Sequence, residues 1–255
     1  MTTSDATAIL LGFIIATAIG LTGVGGGTIT TPLLILILKM KGAVAVGTAL
    51  TFAAVIKFLV APMYLLRKQV SFKTLAWMCL GGVPGVIAGG LFLNKLSKSV
   101  DPHLLYVILG VTIVVAAALN IYRLLRLRGL SGTGNRPRWL AALMFPVGAE
   151  VGFSSAGSGA LGSLALLGLT RLEAAQVVGT DISFGLVLSV IGSGIQIFAG
   201  NYNGRVLEFL LIGGVVGSFT GGILALRIPS RPLKWGLAIW LAVLGVQLFM
   251  RGLAS

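Results

Sequence analysis

Residues 22–28 read Thr-Gly-Val-Gly-Gly-Gly-Thr, and residues 154–160 read Ser-Ser-Ala-Gly-Ser-Gly-Ala. The two stretches lie 132 positions apart, and the same offset places residues 20–93 on residues 152–225 without a gap. Of the 74 aligned pairs, 17 are identical, and nine of these identities are glycine. Because one register is kept over this length, the sequence predicts two copies of one structural unit.

Each copy has the same order of apolar segments. A first segment (6–21 or 139–153) runs into the small-residue stretch, and a short segment (29–38 or 161–169) follows it. At ~1.5 Å per residue, the short segment crosses only about half of a membrane. Three longer segments complete each copy and end at Leu66, Leu93 and Tyr122 or at Phe198, Leu226 and Met250. We predict an all-α integral membrane protein of two repeats, each with a broken or re-entrant helix pair plus three transmembrane helices.

The division of the chain and its orientation follow from the charged loops. Residues 1–122 and 139–255 form the predicted repeats, and residues 123–138, which contain five arginines, form a basic cytoplasmic linker. Twelve basic residues fall in loops on one side and six on the other, which predicts that both termini lie outside. Each repeat then crosses an odd number of times, so the second copy is predicted to be inverted. The first apolar segment lacks a basic start and a cleavage site, so we interpret it as part of the mature protein.

Composition favours transport over catalysis. Hydrophobic residues make up 56% of the chain and charged residues only 10%, against roughly 25% charged in soluble proteins. The net charge of +13 lies in short loops, which indicates topology signals and anionic lipid and not nucleic acid. Cys79 is the single cysteine, which excludes an internal disulfide and a multi-thiolate metal site. His103, the single histidine, lies at the start of a predicted helix, and we recognise no Ser-His-Asp set. We expect no enzymatic activity, no cofactor and no metal.

The small-residue stretches predict a solute site. Non-helical backbone within a bilayer is tolerated only where protein or a water-filled cavity covers it. Helices that restart after the breaks point N–H groups and a positive dipole end toward them, which favours an anion. The alternative is that the glycines only allow close helix packing. The candidate solute-binding residues here are Thr22, Gly23, Gly25, Gly26, Gly27 and Thr28 in the first copy, and Ser154, Ser155, Gly157, Ser158 and Gly159 in the second.

A second set of hydroxyls is also matched between the copies. Thr48 and Thr51 share one helical face, and the offset places them on Thr180 and Ser183. We predict that these four side chains face each other across the axis relating the repeats and contact the solute. The alternative is that each hydroxyl bonds to the backbone of its own helix.

Three ionisable residues lie deep in apolar segments, where charge is costly and usually marks a pathway or an ion pair. Lys57 could offer positive charge to an anion, and Glu150 and Asp181 could each bind a coupling proton or Na+. The alternative is that Lys57 and one carboxylate merely neutralise each other. The spaced glycines at 81, 85 and 89, repeated at 213, 217 and 221, predict close helix packing.

The glycine stretch with its flanking motifs resembles a known family. Gly20-Leu21-Thr22-Gly23-Val24-Gly25-Gly26-Gly27, then Pro32, then Ala45-Val46-Gly47-Thr48-Ala49 are similar to the sulfite exporter TauE/SafE family of membrane permeases, as is Val178-Gly179-Thr180-Asp181 in the second copy. The resemblance covers nearly the whole chain, although the second stretch is richer in serine.

The resemblance implies a secondary transporter, an exporter of sulfite, sulfoacetate or other organosulfonates, in the cytoplasmic membrane of a bacterium or archaeon. We expect the halves to rock and expose the anion alternately, with a proton on Glu150 or Asp181 coupling the cycle. A passive small-anion channel remains an alternative, as does a sulfur-handling membrane enzyme or assembly factor that uses Cys79. The direction of transport, the coupling ion and the oligomeric state stay open, and a homodimer is compatible with the sequence.

Overall fold

The computed structural model describes residues 3–22, 27–126, 137–156, 158–225 and 230–253. These residues form helices and no β-strand. In chain order the helices are α1 (Thr3–Thr22), α2 (Gly27–Leu36), α3 (Gly42–Leu66), α4 (Phe72–Ser99), α5 (Pro102–Arg126), α6 (Pro137–Ser154), α7 (Ser158–Leu169), α8 (Ala174–Phe198), α9 (Gly204–Ala225) and α10 (Ser230–Leu253). The predicted all-α fold is confirmed for this part of the chain.

The lengths of the helices indicate a multi-pass membrane protein. Within the described residues, five helices are long and apolar enough to cross a bilayer: α3, α4, α5 up to Leu119, α8 from Ala175 and α9 up to Gly221. Shorter apolar helical stretches cover Asp5–Gly20, Trp139–Ser154 and Ala238–Leu253. Large hydrophobic side chains also point outward, as expected for a surface in contact with lipid tails; among them are Phe58, Leu66, Leu80, Phe198 and Phe219.

The short helices occur where the sequence predicts them. α2 has 10 residues and α7 has 12. A break at Ser155 and Ala156 precedes α7, whereas residues 23–26, between α1 and α2, lie outside the described part of the chain. Residues 127–136 lie outside the described part of the chain, so the linker and the division into domains stay predictions. Whether each short pair dips into the bilayer or crosses it also stays a prediction.

Glycines bring α4 against α6 and α9 against α1 in two equivalent interfaces. Gly81, Gly85 and Gly89 face the backbone of Ala141, Phe145 and Ala149, so closely that a Cβ atom would overlap a carbonyl oxygen. The offset of 132 converts this set into a second observed set, in which Gly213, Gly217 and Gly221 face Ile9, Phe13 and Thr17. Both pairs of helices run parallel. The predicted packing role of the spaced glycines is confirmed.

In two further pairs, a helix packs against the equivalent helix of the other repeat. α3 packs on α8, and α5 packs on α10. Gly110 lies beside Phe249 and Gly252 lies beside Val107, so α5 and α10 run antiparallel. When two equivalent helices contact each other in antiparallel orientation, the two-fold axis that relates them is perpendicular to both helices. This geometry supports the inverted orientation of the repeats, which stays a prediction.

The ends of α3 and α8 form the same turn. Lys68 and Gly200 are equivalent, and both adopt positive φ angles, of 55° and 74° respectively. The N–H groups of Gln69 and Asn201 donate to the carbonyls of Tyr64 and Gln196 at 2.9 and 2.8 Å. These bonds satisfy carbonyls left over at a helix end, and they start the connections to α4 and α9.

Candidate solute-binding site

Buried polar side chains concentrate on the helices at the centre of the molecule. They lie on α2, on α3, at the break between α6 and α7, and on α7 and α8. Such groups are costly in a membrane protein unless they are partnered or line a pathway. The buried set on these elements is Thr30, Thr31, Thr48, Lys57, Ser154, Ser155, Ser163, Thr180, Asp181, Ser183, Ser189, Ser193 and Gln196.

Lys57 contacts the residue that the offset of 132 places on it. Its ammonium group donates a hydrogen bond to Ser189 Oγ at 3.1 Å, and both side chains are buried. The two residues are separated by 132 positions and therefore occupy equivalent places. Equivalent side chains can touch only close to the axis, so α3 and α8 present a positive charge at the centre of their contact.

Asp181 places a negative charge close to Lys57. The Ser163 hydroxyl donates to Asp181 Oδ2 at 2.7 Å, and the carboxylate acts electrostatically on the Lys57 ammonium group. Asp181 Oδ1 also lies against Gly162, where a Cβ atom would collide with it. We call Lys57, Asp181, Ser163 and Ser189 the central cluster. It joins α7 to α3 and α8.

The break between α6 and α7 is built by two serines. The Ser154 hydroxyl donates to Glu150 O at 3.1 Å and accepts from the Ala156 N–H at 3.2 Å, so it bridges the interruption. Ser155 adopts a φ of 60°, and its hydroxyl lies 2.7 Å from Thr31 Oγ1 on α2. The second break therefore touches the short helix of the first half.

The other candidate residues of the two breaks lie at helix ends or outside the described residues. Thr22 ends α1, Gly27 and Thr28 open α2, and Ser158 and Gly159 open α7. Gly23, Gly25, Gly26 and Gly157 lie outside the described residues. A solute-binding role for these positions stays a prediction.

We expect Ser155→Ala to be more harmful than Ser155→Gly. Alanine loses the hydroxyl contact with Thr31 and keeps the strain of a positive φ, whereas glycine adopts that angle without cost. Alanine should lower the free energy of unfolding by about 1–2 kcal/mol relative to glycine. Thermal unfolding in detergent measures the difference, and equal melting temperatures for the two variants would contradict it.

The matched hydroxyls on α3 and α8 bond to backbone. Thr51 donates to Gly47 O and Ser183 donates to Gly179 O, both at 2.8 Å. Thr48 donates to Val44 O at 2.8 Å. These are the bonds that the alternative interpretation of the sequence expects, and contact of these hydroxyls with solute stays a prediction.

Glu150 faces a pocket away from these hydroxyls. The pocket has a volume of about 560 Å³, lies between α5, α6 and α7, and is lined almost entirely by apolar side chains. Among the described residues, the buried Oε1 atom of Glu150 has no hydrogen-bond partner. The equivalent position in the first half is Ala18. One carboxyl group in an apolar wall is suited to holding a proton.

Two residues of the central cluster were absent from the sequence-based site. The offset of 132 places Ser163 on Thr31 and Ser189 on Lys57. The available signal was the offset itself, because equivalent residues on a helix that packs against its own copy meet at the axis. The bond of Ser163 to Asp181 had no comparable signal in the sequence.

Comparison with known proteins places the chain among membrane transporters. The sulfite exporter TauE/SafE family matches residues 8–248. The probable membrane transporter protein YjnA of Bacillus subtilis is 30% identical over 249 residues, which cover 94% of this chain and 98% of that protein. A probable membrane transporter protein of Xylella fastidiosa is 22% identical over 257 residues, covering 94% of this chain and 92% of that protein. No solved structure matches the chain.

Proposed function

Because the chain belongs to the sulfite exporter TauE/SafE family of membrane transporters, we propose that it exports small sulfur-containing anions. Sulfite, sulfoacetate and other organosulfonates are the expected class. The observation that carries the proposal is the buried ammonium group of Lys57, which contacts the hydroxyl group of its equivalent residue Ser189. A buried positive charge beside a hydroxyl group matches the charge and the oxygen atoms of such anions.

Lys57 in the central cluster can exchange its present contacts for contacts with an anion. Lys57 donates to the Ser189 hydroxyl and interacts electrostatically with Asp181. An oxyanion that enters the cluster loses its hydration, and its interaction with the Lys57 ammonium group offsets that cost. The N-termini of α2 and α7 add backbone N–H groups and positive dipole ends near the breaks.

Alternating access is the mechanism that we propose for release. Equivalent contacts occur in both halves, such as Gly82 against Phe184 and Gly214 against Phe52. Two similar halves around one central charge can adopt two arrangements that exchange their roles, which opens the cluster to one side or to the other. In the proposed orientation the chain lies in a prokaryotic cytoplasmic membrane with both termini outside.

Flux into proteoliposomes tests the proposal. Purified protein is reconstituted, and uptake of labelled sulfite and sulfoacetate is measured with and without a pH gradient, with chloride as a control anion. We expect saturable flux for at least one sulfur anion. Absence of flux for every small sulfur anion would remove the substrate claim, and unsaturable flux insensitive to any ion gradient would favour a channel.

We expect Glu150→Gln to uncouple flux from the pH gradient. Glutamine keeps the shape of the side chain but cannot release a proton, so accumulation driven by the gradient should fall at least tenfold while exchange of solute at equal pH continues. Asp181→Asn is the matched comparison, because Asp181 is bonded to Ser163 whereas Glu150 Oε1 lacks a partner among the described residues. Full gradient-driven accumulation by Glu150→Gln would exclude Glu150 as the coupling group.

A further inference from the structure

The turns after α3 and α8 each dock onto the opposite half of the molecule. The Ser71 N–H donates to Thr180 Oγ1 at 3.0 Å, and the Asn203 N–H donates to Thr48 Oγ1 at 3.0 Å. The offset of 132 converts one bond into the other. Both threonines are fully buried. We call Thr48 with Asn203 the first latch, and Thr180 with Ser71 the second latch.

Each latch uses both the glycine and the threonine of a Val-Gly-Thr motif. Gly47 lies against the carbonyl oxygen of Asn201, and Gly179 lies against that of Gln69, so closely that any Cβ atom would overlap it. The glycine therefore leaves room for the backbone of the turn. The threonine hydroxyl accepts a hydrogen bond from an N–H group at the start of α9 or α4. Such N–H groups have no partner within their own helix. This geometry accounts for the motif in both halves without contact to a solute.

The two latches are unequally reinforced. At the first latch, Asn201 Nδ2 donates to Asn94 Oδ1 at 2.7 Å and to Gln196 Oε1 at 3.0 Å. Gln196 Nε2 in turn donates to Gly90 O at 3.4 Å. The positions equivalent to Asn201, Gln196 and Asn94 hold Gln69, Tyr64 and Leu226. A leucine side chain cannot accept the bond that Asn94 accepts, and one hydrogen bond changes an equilibrium about fivefold.

We propose that Thr48 and Thr180 are positioning residues that latch the two ends of the α3–α8 pair, and that the end held by Thr180 opens more readily. Lys57 and Ser189 lie nine residues after Thr48 and Thr180 and therefore between these ends, so an opened end admits solute to Lys57. Only this last step rests on the proposed function. The latches themselves join backbone and side chains of the two halves.

Single cysteines at two equivalent buried positions report how readily each end of the α3–α8 pair opens. Ser193→Cys lies one turn before Gln196, near the first latch, and Ala61→Cys lies one turn before Tyr64, near the second; both native residues are buried, at 8% and 1% exposure. The background is Cys79→Ser, which removes the single native thiol. Labelling by a membrane-impermeant maleimide is followed in vesicles of both orientations, without any solute.

We expect Thr48→Val to raise the labelling rate of the Ser193→Cys reporter about fivefold and to leave the Ala61→Cys reporter unchanged. Thr180→Val should do the reverse, and Thr48→Ser and Thr180→Ser should restore the original rates because serine keeps the acceptor. With intact latches, the Ala61→Cys reporter should label faster. Asn201→Ala, which keeps the Thr48 bond, should reduce this difference and provides a test even if the valine variants fail to fold.

Unchanged labelling in the valine variants, or serine variants that behave like valine, would overturn the latches. Equal labelling of the two reporters with intact latches would overturn the unequal opening. In flux assays we expect Thr48→Val to change the maximal rate and not KM, and a tenfold rise in KM would instead assign Thr48 to solute contact. If no sulfur anion is carried while the labelling pattern holds, the proposed function fails and the latches stand.

Discussion

Replacing Lys57 by methionine is expected to reduce anion flux at least a hundredfold. Methionine fills a similar volume but removes the buried positive charge that lies beside Ser189. A buried charge–charge contact with an anion is worth several kcal/mol, and a loss of about 3 kcal/mol corresponds to a factor of more than a hundred. Initial rates of sulfite and sulfoacetate uptake in proteoliposomes measure the effect. Lys57→Arg, which keeps the charge, is the matched control and should retain part of the flux.

The double variant Lys57→Met with Asp181→Asn separates a role in transport from simple neutralisation. Removing Lys57 alone leaves the Asp181 carboxylate without its balancing charge, which destabilises the fold by about 3–5 kcal/mol. Removing both charges should restore the melting temperature. If Lys57 binds the anion, flux stays lost in the double variant. Recovery of flux together with stability would show that the pair only neutralises itself, and the proposed site would be wrong.

The internal repeat made much of the architecture predictable. Helix ends at Leu66 and Phe198 follow from the apolar pattern, and the structure places α3 and α8 ends there. The spaced glycines predict close packing because a missing Cβ atom has a direct geometric consequence. The sequence does not state which helices these glycines touch, since contact between α4 and α6 depends on how the two units assemble.

The roles of the hydroxyl groups were harder to predict. Thr48 and Thr51 share a helical face, and this spacing alone gives them the same expected neighbours. In the structure Thr51 bonds within its own helix, while Thr48 also accepts an N–H from Asn203, 155 positions away. A period of 3.6 residues identifies a face of a helix but not the group that packs against it. Charges are easier to assign, because a lysine in an apolar segment is unfavourable in almost any assembly.

Substituting the glycines at the α4–α6 and α9–α1 interfaces should strongly lower stability. In Gly85→Ala the new Cβ atom overlaps Phe145 O, and in Gly217→Ala it overlaps Phe13 O, so the helices must separate. Overpacking costs about 3 kcal/mol, which corresponds to a fall in melting temperature of about 10 °C. Because the two positions are equivalent, we expect similar falls for both variants. Thermal unfolding in detergent measures them.

Gly194→Ala is the control that isolates packing from helix propensity. Gly194 lies within α8, and a Cβ atom there meets no atom within 4 Å. Alanine favours a helix over glycine by up to about 1 kcal/mol, so Gly194→Ala should keep or slightly raise the melting temperature. A lower melting temperature for Gly85→Ala, together with an unchanged or higher one for Gly194→Ala, can arise only if the backbone packed against Gly85 determines the effect. A fall at Gly85 no larger than the change at Gly194 would mean that α4 and α6 do not pack through these glycines, and the equivalent interface of α9 with α1 would lose its support as well.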